Sequence, residues 1–465
     1  MTTLRLFKHH VRVPFLLMGI TESVIFFLAV YLGVYLRLDN LSTTITDMAP
    51  LIVRAMVFSI IMILSMIAVG LYQARLREGI FGLLLRMVAS FFLGTIGLSA
   101  VFYIIPNLFL GRGTIAISLL AAFIAITVFR QIVYWTEPTI FKRRVLVLGA
   151  GEKAMAITEL RRKSDKFGFT IVGFTHLRGE KDVVEKEKVI YLDRPLKEFV
   201  LHNDIDEIVL AVNDRRKSLP IHDLLECKMS GIDILDMLSF FERETSKIRL
   251  DQLQPSWLVF SDGFSQNTFR LGIKRLFDLS CSLLLLLISW PFMLVTMLAI
   301  WLEEGFSVSL LYRQVRVGEA GRPFQVLKFR SMREDAEKDG VAQWATQNDS
   351  RVTRVGGIIR KIRVDELPQI FNVLRGDMSF VGPRPERPQF VVTLCEKIPY
   401  YEERHRVKPG ITGWAQLLYP YGSSERDAME KLQYDLYYVK NHSLFLDFLI
   451  MLQTAEVVLF GKGAR

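Results

Sequence analysis

The stretch LSCSLLLLLISWPFMLVTMLAIWL, residues 279–302, runs for 24 residues without a charge. Hydropathy alone reads it as a membrane-crossing helix, since about 20 apolar residues cover about 30 Å of hydrocarbon. Its middle, Ser289-Trp290-Pro291, argues against a plain span. A central proline removes a backbone hydrogen bond and kinks a helix, and the freed carbonyl needs a partner in lipid, which the Ser289 hydroxyl would supply. Lys274 and Arg275 precede the run, and Arg313 and Arg316 follow it. Basic residues on both sides favour one membrane face for both ends. Two structures fit: a fifth span, or a re-entrant hairpin over 279–302, broken at Ser289 and Pro291, that dips into the bilayer and returns.

The choice turns on what precedes the run. Four apolar segments, roughly 13–36, 49–72, 81–105 and 114–135, are each long enough to cross a bilayer. The first is too long for a signal-peptide core and reads as an anchor. Glu22, Arg54 and Arg86 lie inside three of them and read as helix pairing or snorkelling rather than a transport path. Arg5, Lys8 and Arg12, then Arg75 and Arg77, then Lys142, Arg143 and Arg144 mark one side, while the other two loops hold little beyond Arg37 and Arg112. Both ends of a four-span bundle over 1–141 should therefore face the cytoplasm. A fifth span would then carry everything after residue 302 outside.

Composition agrees with a membrane protein: 51% hydrophobic residues, mean hydropathy +0.29 and a net charge of +10. That charge suits anionic lipid heads or phosphorylated ligands. Nucleic acid is excluded as a partner, because the basic residues form no tail and no nucleic-acid-binding motif is present. Cys227, Cys281 and Cys395 are far apart and fit no zinc spacing, as expected of reduced thiols in a cytoplasm-facing protein.

After the bundle comes RRVLVLGAGEKAMAITELRRK, residues 143–163. An apolar run ends in Gly149-Ala150-Gly151 and turns helical, the strand–turn–helix setting in which glycines can hold a pyrophosphate. With further strands at Phe169–Phe174 and Glu207–Val212, a Rossmann-like α/β domain is expected over 142–240. The fingerprint is incomplete: where an acid should meet the ribose, the chain reads GFTHLRG. Gly149 and Gly151 thus outline a nucleotide loop, but a structural or regulatory role is the stronger reading. Residues 241–272 are irregular and polar, a connector.

The chemistry concentrates further on, in IRVDELPQIFNVLRGDMSFVGPRP, residues 362–385. Leu367, Ile370, Phe371 and Leu374 form one helical stripe. Asp365 is placed to cap that helix, Pro368 lies in its first turn and Gly376 ends it. Adjacent acids at a helix mouth are an ordinary cap when alone. Here Lys328 and Arg330 in FQVLKFRSM, then Arg360, Lys361 and Arg363, then Arg384 held between two prolines, surround them with cations. Such a set suits a meeting of phosphate and divalent metal. An aspartate is already ionised near neutral pH and can attack phosphorus without a general base, provided cations screen the repulsion. His405 and His442 fit no triad.

KRLFDL (274–279), the proline-broken segment, LKFRSM, RVDELPQIFNVLRGDMSFVGPRP, KPGITGWAQ (408–416) and YDLYYVKN (434–441) together resemble the monotopic phosphoglycosyl transferases. The closer likeness is to their long form, the polyprenyl-phosphate hexose-1-phosphate transferases, in which a four-span bundle and a Rossmann-like domain precede a mainly α catalytic domain, here 273–465. The resemblance implies transfer of a hexose 1-phosphate from a UDP-sugar to undecaprenyl phosphate, with UMP leaving and Mg²⁺ or Mn²⁺ assisting. Asp365 would be the nucleophile of a covalent phosphosugar intermediate, and Glu366 its dyad partner, the pair also holding the metal. Lys328, Arg330, Arg363, Arg384 and Lys408 would bind phosphate or substrate. It further implies a bacterial inner membrane with the catalytic domain facing the cytoplasm, and a role in starting exopolysaccharide, capsule or O-antigen repeat units. A homo-oligomer and downstream glycosyltransferases are the expected partners. The family usually breaks its hairpin at Ser-Pro, whereas Trp290 stands between Ser289 and Pro291 here.

Cytoplasmic, nucleotide-activated chemistry favours the re-entrant hairpin over a fifth span. A membrane-bound nucleotide-sugar dehydratase or epimerase is the main rival, but it needs a second Gly-rich loop and a Tyr-x-x-x-Lys pair, which no lysine after residue 272 supplies. A non-enzymatic membrane sensor would leave the acids and arginines unexplained. The last apolar stretch, Ser443–Phe460, reads as a helix at the membrane interface, against the hairpin, or in a core.

Overall fold

The computed structural model describes residues 3–6, 9–37, 50–72, 80–136, 142–158, 169–177, 181–212, 219–253, 255, 268–305, 308–333, 351–419, 422 and 424–459. Lys8, Arg75, Arg77 and most of the connector's second half lie outside the described residues. Apart from the extreme N-terminus, the chain divides after Thr245 into two compact units.

In the first unit, four long apolar helices, α1 (Val13–Arg37), α2 (Leu51–Ala68), α3 (Ile80–Ile104) and α4 (Arg112–Thr136), pack in the order α2 on α1 and α3, α4 on α1 and α3. Each is long and apolar enough to cross a membrane, as is one helix of the second unit, and the chain is a membrane protein. Phe26, Phe58, Met62, Met66, Phe91 and Leu98 fill the core between them. Burying an isolated charge there would cost several kcal/mol, so each needs a partner. Arg130, a charge in the fourth segment that hydropathy passes over, grips the fully buried Glu22 through both carboxylate oxygens at 2.6 and 2.9 Å, and Tyr72 donates to the same group. Arg86 donates to the Val69 carbonyl at 2.8 Å, and Arg54 to that of Phe109.

The same unit holds a five-stranded, all-parallel sheet. Its strands are β1 (Arg143–Leu148), β2 (Phe169–Thr175), β3 (Val189–Ile190), β4 (Glu207–Leu210) and β5 (Asp233–Asp236), in the order β3-β2-β1-β4-β5. That is the crossover order of doubly wound folds. Central β1 carries the unbroken apolar run Val145–Leu148 because both its faces are covered: one by the cluster around Val145, Val147 and Phe240, the other by that around Leu146, Leu148 and Val200. Gly149 takes a φ of +113°, a conformation that a side chain would strain. The loop it opens is buried, and the Ala150 carbonyl accepts from the amides of Val183 and Val184 at 2.7 and 3.1 Å. The final helix, Met237–Thr245, continues past residue 240. Its Phe241 is fully buried, and its Arg243 and Glu244 close a ring of ion pairs with Arg143 and Glu207 at the N-terminal ends of the inner strands β1 and β4.

The second unit opens with one 37-residue helix, Thr268–Glu304, which contains Pro291. Asp278, Ser282, Ser289, Met293, Thr296 and Ile300 form a single buried stripe along it, while Leu283, Leu287, Trp290, Leu294 and Leu298 are exposed on the other sides. The structure corrects the expected role of Ser289: its hydroxyl donates to Met293 Sδ at 3.9 Å rather than to a carbonyl freed by Pro291, because the serine faces the protein. An antiparallel hairpin, β6 (Leu311–Val317) and β7 (Pro323–Phe329), and a parallel pair, β8 (Ser379–Val381) and β9 (Gly410–Thr412), follow. The YDLYYVKN stretch lies almost wholly buried in the helix Glu425–Asn441. In the last helix, Leu446, Asp447 and Ile450 are buried while Leu444 and Phe448 are exposed, and Asp447 takes the Tyr438 hydroxyl and the Lys274 ammonium, so one face packs on the protein and on the long helix.

Candidate active site

The two acids sit in a 3-10 turn, Val364–Glu366, entered through Arg363 at a left-handed φ of +61°. The Glu366 and Leu367 amides already bond back to Arg363 and Val364. Asp365 is therefore inside a helical turn, not at a cap as expected. The helix that follows, Gln369–Arg375, has Pro368 as its N-cap and ends on Gly376 at φ +96°. Its buried face is also turned from the expected stripe: Gln369, Ile370, Asn372 and Val373 are buried, and Phe371 is exposed. Asn372 explains the rotation. Its amide accepts from the Leu327 amide at 3.0 Å and donates to the Gln325 carbonyl at 2.7 Å, acting as one more rung on strand β7. That bond places Lys328, on β7, above the acids. An amide inside the apolar run Ile370-Phe371-Asn372-Val373-Leu374 is the sequence signal for it.

Three cations converge on Glu366. Lys328 Nζ donates to Glu366 Oε1 at 2.9 Å, Arg384 Nη2 to the same oxygen at 2.8 Å, and Arg363 stands 3.7 Å away. Asp365 is 8% exposed, and its Oδ1 has no hydrogen-bond partner among the described residues. The electrostatics separate accordingly. For Asp365, burial first, then the Glu366 charge, push the carboxyl up against the pull of Lys328 and Arg363. For Glu366, burial opposes ionisation, but Arg384, Lys328 and Arg363 outweigh it and hold the carboxyl well below its usual range. Burial also pushes the Lys328 ammonium down. The result is one carboxylate locked as an anion in a cationic cage and one with a buried oxygen that no described residue bonds.

Other expected site residues are placed differently. Arg330 follows the strand and donates to the Ser309 carbonyl at 2.7 Å. Lys408 donates to the Gly376 carbonyl at 2.8 Å and so caps the helix after the acids, because that C-terminus leaves carbonyls without amide partners. Gly149 and Gly151 belong to the other unit. Among the described residues no third His, Cys, Asp or Glu joins the pair. Two carboxylates are nonetheless a fitting donor set for Mg²⁺, which keeps several waters and binds one or two carboxylates with substrate phosphates.

Arg384 reaches Glu366 from a turn that is bonded at every carbonyl. Pro383 O accepts from the Gly410 amide, Arg384 O from Arg404, Pro385 O from Arg316 and Glu386 O from the Val317 amide, at 2.9, 2.9, 3.1 and 2.9 Å. A Cβ on Gly382 would stand 2.3 Å from the Lys408 carbonyl, so only glycine lets these backbones touch. Arg275 and Asp278, at the start of the long helix, tie it to the same region: Arg275 donates to the carbonyls of Val373 and Leu374, and Asp278 accepts from Ser379 and the Phe380 amide.

Comparison with known proteins places this unit. The bacterial sugar transferase family matches residues 269–461. An Aeromonas hydrophila UDP-N-acetylgalactosamine-undecaprenyl-phosphate N-acetylgalactosaminephosphotransferase is 42% identical over 242 residues, 52% of this chain and 56% of that protein. A Xanthomonas campestris pv. campestris UDP-glucose:undecaprenyl-phosphate glucose-1-phosphate transferase is 33% identical over 330 residues, 69% and 68% of the two chains. Its namesake from Escherichia coli (strain K12) is 35% identical over 330 residues, 70% and 69%. The matched stretch thus spans between 56% and 69% of the length of these relatives.

Proposed function

The chain belongs to the bacterial sugar transferase family, and from that premise we propose that it moves a hexose 1-phosphate from a UDP-sugar to undecaprenyl phosphate. The observation that carries the mechanism is the buried, unbonded Oδ1 of Asp365 beside a caged Glu366. That oxygen attacks the phosphorus bearing the sugar. The bond to the bridging oxygen breaks, UMP leaves with the electron pair, and an aspartyl phosphosugar remains. A phosphate oxygen of undecaprenyl phosphate then attacks the same phosphorus and returns the carboxylate. Lys328, Arg384 and Arg363 hold Glu366 ionised and offer their remaining N–H groups to the diphosphate, offsetting charge repulsion. Asp365 and Glu366 would hold a Mg²⁺ or Mn²⁺ ion, which supplies further charge neutralisation when bound. Such a product would start repeat units that downstream glycosyltransferases extend. Incubation with undecaprenyl phosphate and a panel of labelled UDP-sugars tests this: one sugar should yield lipid-linked phosphosugar and UMP, and UDP-sugars left intact throughout would remove the reading.

We further read residues 1–141 as four spans, the parallel sheet as a Rossmann-like domain, and the catalytic unit as cytoplasmic, held by a re-entrant helix. Both ends of that helix dock on one compact unit. Arg275 bonds the carbonyls of Val373 and Leu374, while at the far end Glu303 accepts from the amides of Arg354 and Val355. Its middle packs on Phe329 and Ile359 through Met293 and Ile300. A break at Pro291 would let both ends of the helix lie on one side of the bilayer. Cysteines introduced near 274 and 310 should react with the same impermeant reagent from the cytoplasmic side; opposite accessibility would mean a true fifth span.

A further inference from the structure

We propose that Arg404 is a positioning residue for the transfer reaction, fixing Arg384 against Glu366 through the backbone of the Pro383-Arg384-Pro385 turn. This rests on the reading of Glu366 and its cations given above. The geometry is a relay of direct contacts. Arg404 lies in the 3-10 turn Tyr401–Arg406 and is 5% exposed. One guanidinium nitrogen donates to the Arg384 carbonyl at 2.9 Å and stands 2.8 Å from the Asp435 carboxylate, and the other donates to the Tyr401 hydroxyl at 2.6 Å. Arg384 in turn donates to Glu366 at 2.8 Å.

The turn depends on such outside donors. Its two prolines have no amide hydrogen to donate, and the backbone bonds described for the turn run to its carbonyls. Two of the four are bonded by backbone amides, of Gly410 and Val317, and two by arginine side chains, Arg316 and Arg404. Arg404 holds the carbonyl of Arg384 itself. A guanidinium suits the task because its planar fork can meet a carbonyl, a carboxylate and a hydroxyl at once, which an ammonium on a flexible stem does less well. Asp435, 2% exposed on the helix Glu425–Asn441, balances the buried charge. The adjoining cavity, bordered by Glu386, Tyr401, Lys431 and Asp435, measures about 20 Å³. That is about the room of a single water.

The test is a double-mutant cycle. Arg404→Lys keeps a cation beside Asp435 but loses the fork, and it should lower kcat by about 10- to 100-fold, the scale of a small misplacement at a reacting centre. KM for the UDP-sugar should move by less than kcat does, since Lys328 and Arg363 still face the donor's diphosphate. In an Arg384→Lys background, where the positioned group is already lost, adding Arg404→Lys should cost less than about twofold. If Arg404→Lys does not fold, the charge-neutral pair Arg404→Gln/Asp435→Asn takes its place in the same cycle. Equal fold-losses in both backgrounds would mean a general structural role and overturn the proposal alone. A wild-type protein that leaves every UDP-sugar intact overturns the underlying reading, and this proposal with it.

Discussion

Asp365→Asn should abolish transfer, with a loss of about 10⁴-fold or more in kcat, the scale on which losing an attacking side chain registers. The substitution keeps shape and removes only the charge that attacks. Stability should not fall. Asp365 is buried, and its Oδ1 has no hydrogen-bond partner among the described residues, so the amide forfeits no bond there. The carboxyl is also pushed up by burial and by Glu366, which means that its ionised form costs the folded state free energy that the neutral amide does not. We therefore expect an unchanged or higher Tm together with silence in two assays, UMP release and retention of labelled sugar phosphate on the protein. Turnover near the wild-type rate would take Asp365 out of the nucleophile's role, and label still bound to the variant would point to another attacking group.

Glu366→Gln should cost about 10²- to 10³-fold, as removal of a preorganised electrostatic partner does, and for a different reason. The anion collects Lys328 and Arg384 on one oxygen, with Arg363 nearby. Without it Lys328 is left with the Asp365 carboxylate as the other anion acting on it. An ion pair there would lower the carboxyl's proton affinity and occupy the oxygen that must attack. The buried Lys328, its ammonium already pushed down by burial, would lose its main stabilising charge, so Tm should fall as kcat does. Glu366→Asp should recover part of the rate, because charge returns even though reach is shortened. Phosphosugar accumulating on the Glu366→Gln protein at the wild-type rate would show that the cage is dispensable for the first step.

The two acids were legible from sequence because their neighbours were: adjacent carboxylates gain meaning only among Lys328, Arg363 and Arg384, of which Arg363 stands beside them in the chain, Arg384 in a rigid turn and Lys328 in a strand-like run. Their division of labour was not legible. Charge counting treats Asp365 and Glu366 alike, while a register along β7, pinned by Asn372, aims Lys328 at one of them. Lys408 and Arg330 looked equally suited to phosphate and went instead to backbone carbonyls. A cation's motif does not say which acceptor its folded surroundings leave unsatisfied.

The sequence by itself determined the apolar segments, their proline, the glycine-punctuated strand of a parallel sheet, and the residue types that can attack and screen phosphorus. These are local properties: hydropathy, periodicity and backbone preference act over a few turns and need no distant partner. Tertiary structure alone decided that Arg130 answers Glu22, that one stripe of a 37-residue helix faces protein throughout its length, and that Asp365 keeps a bare oxygen while Glu366 does not. Each of these is a choice among partners far apart in the chain. Desolvation makes every such choice costly to leave unmade, but only the fold says who is near enough to make it.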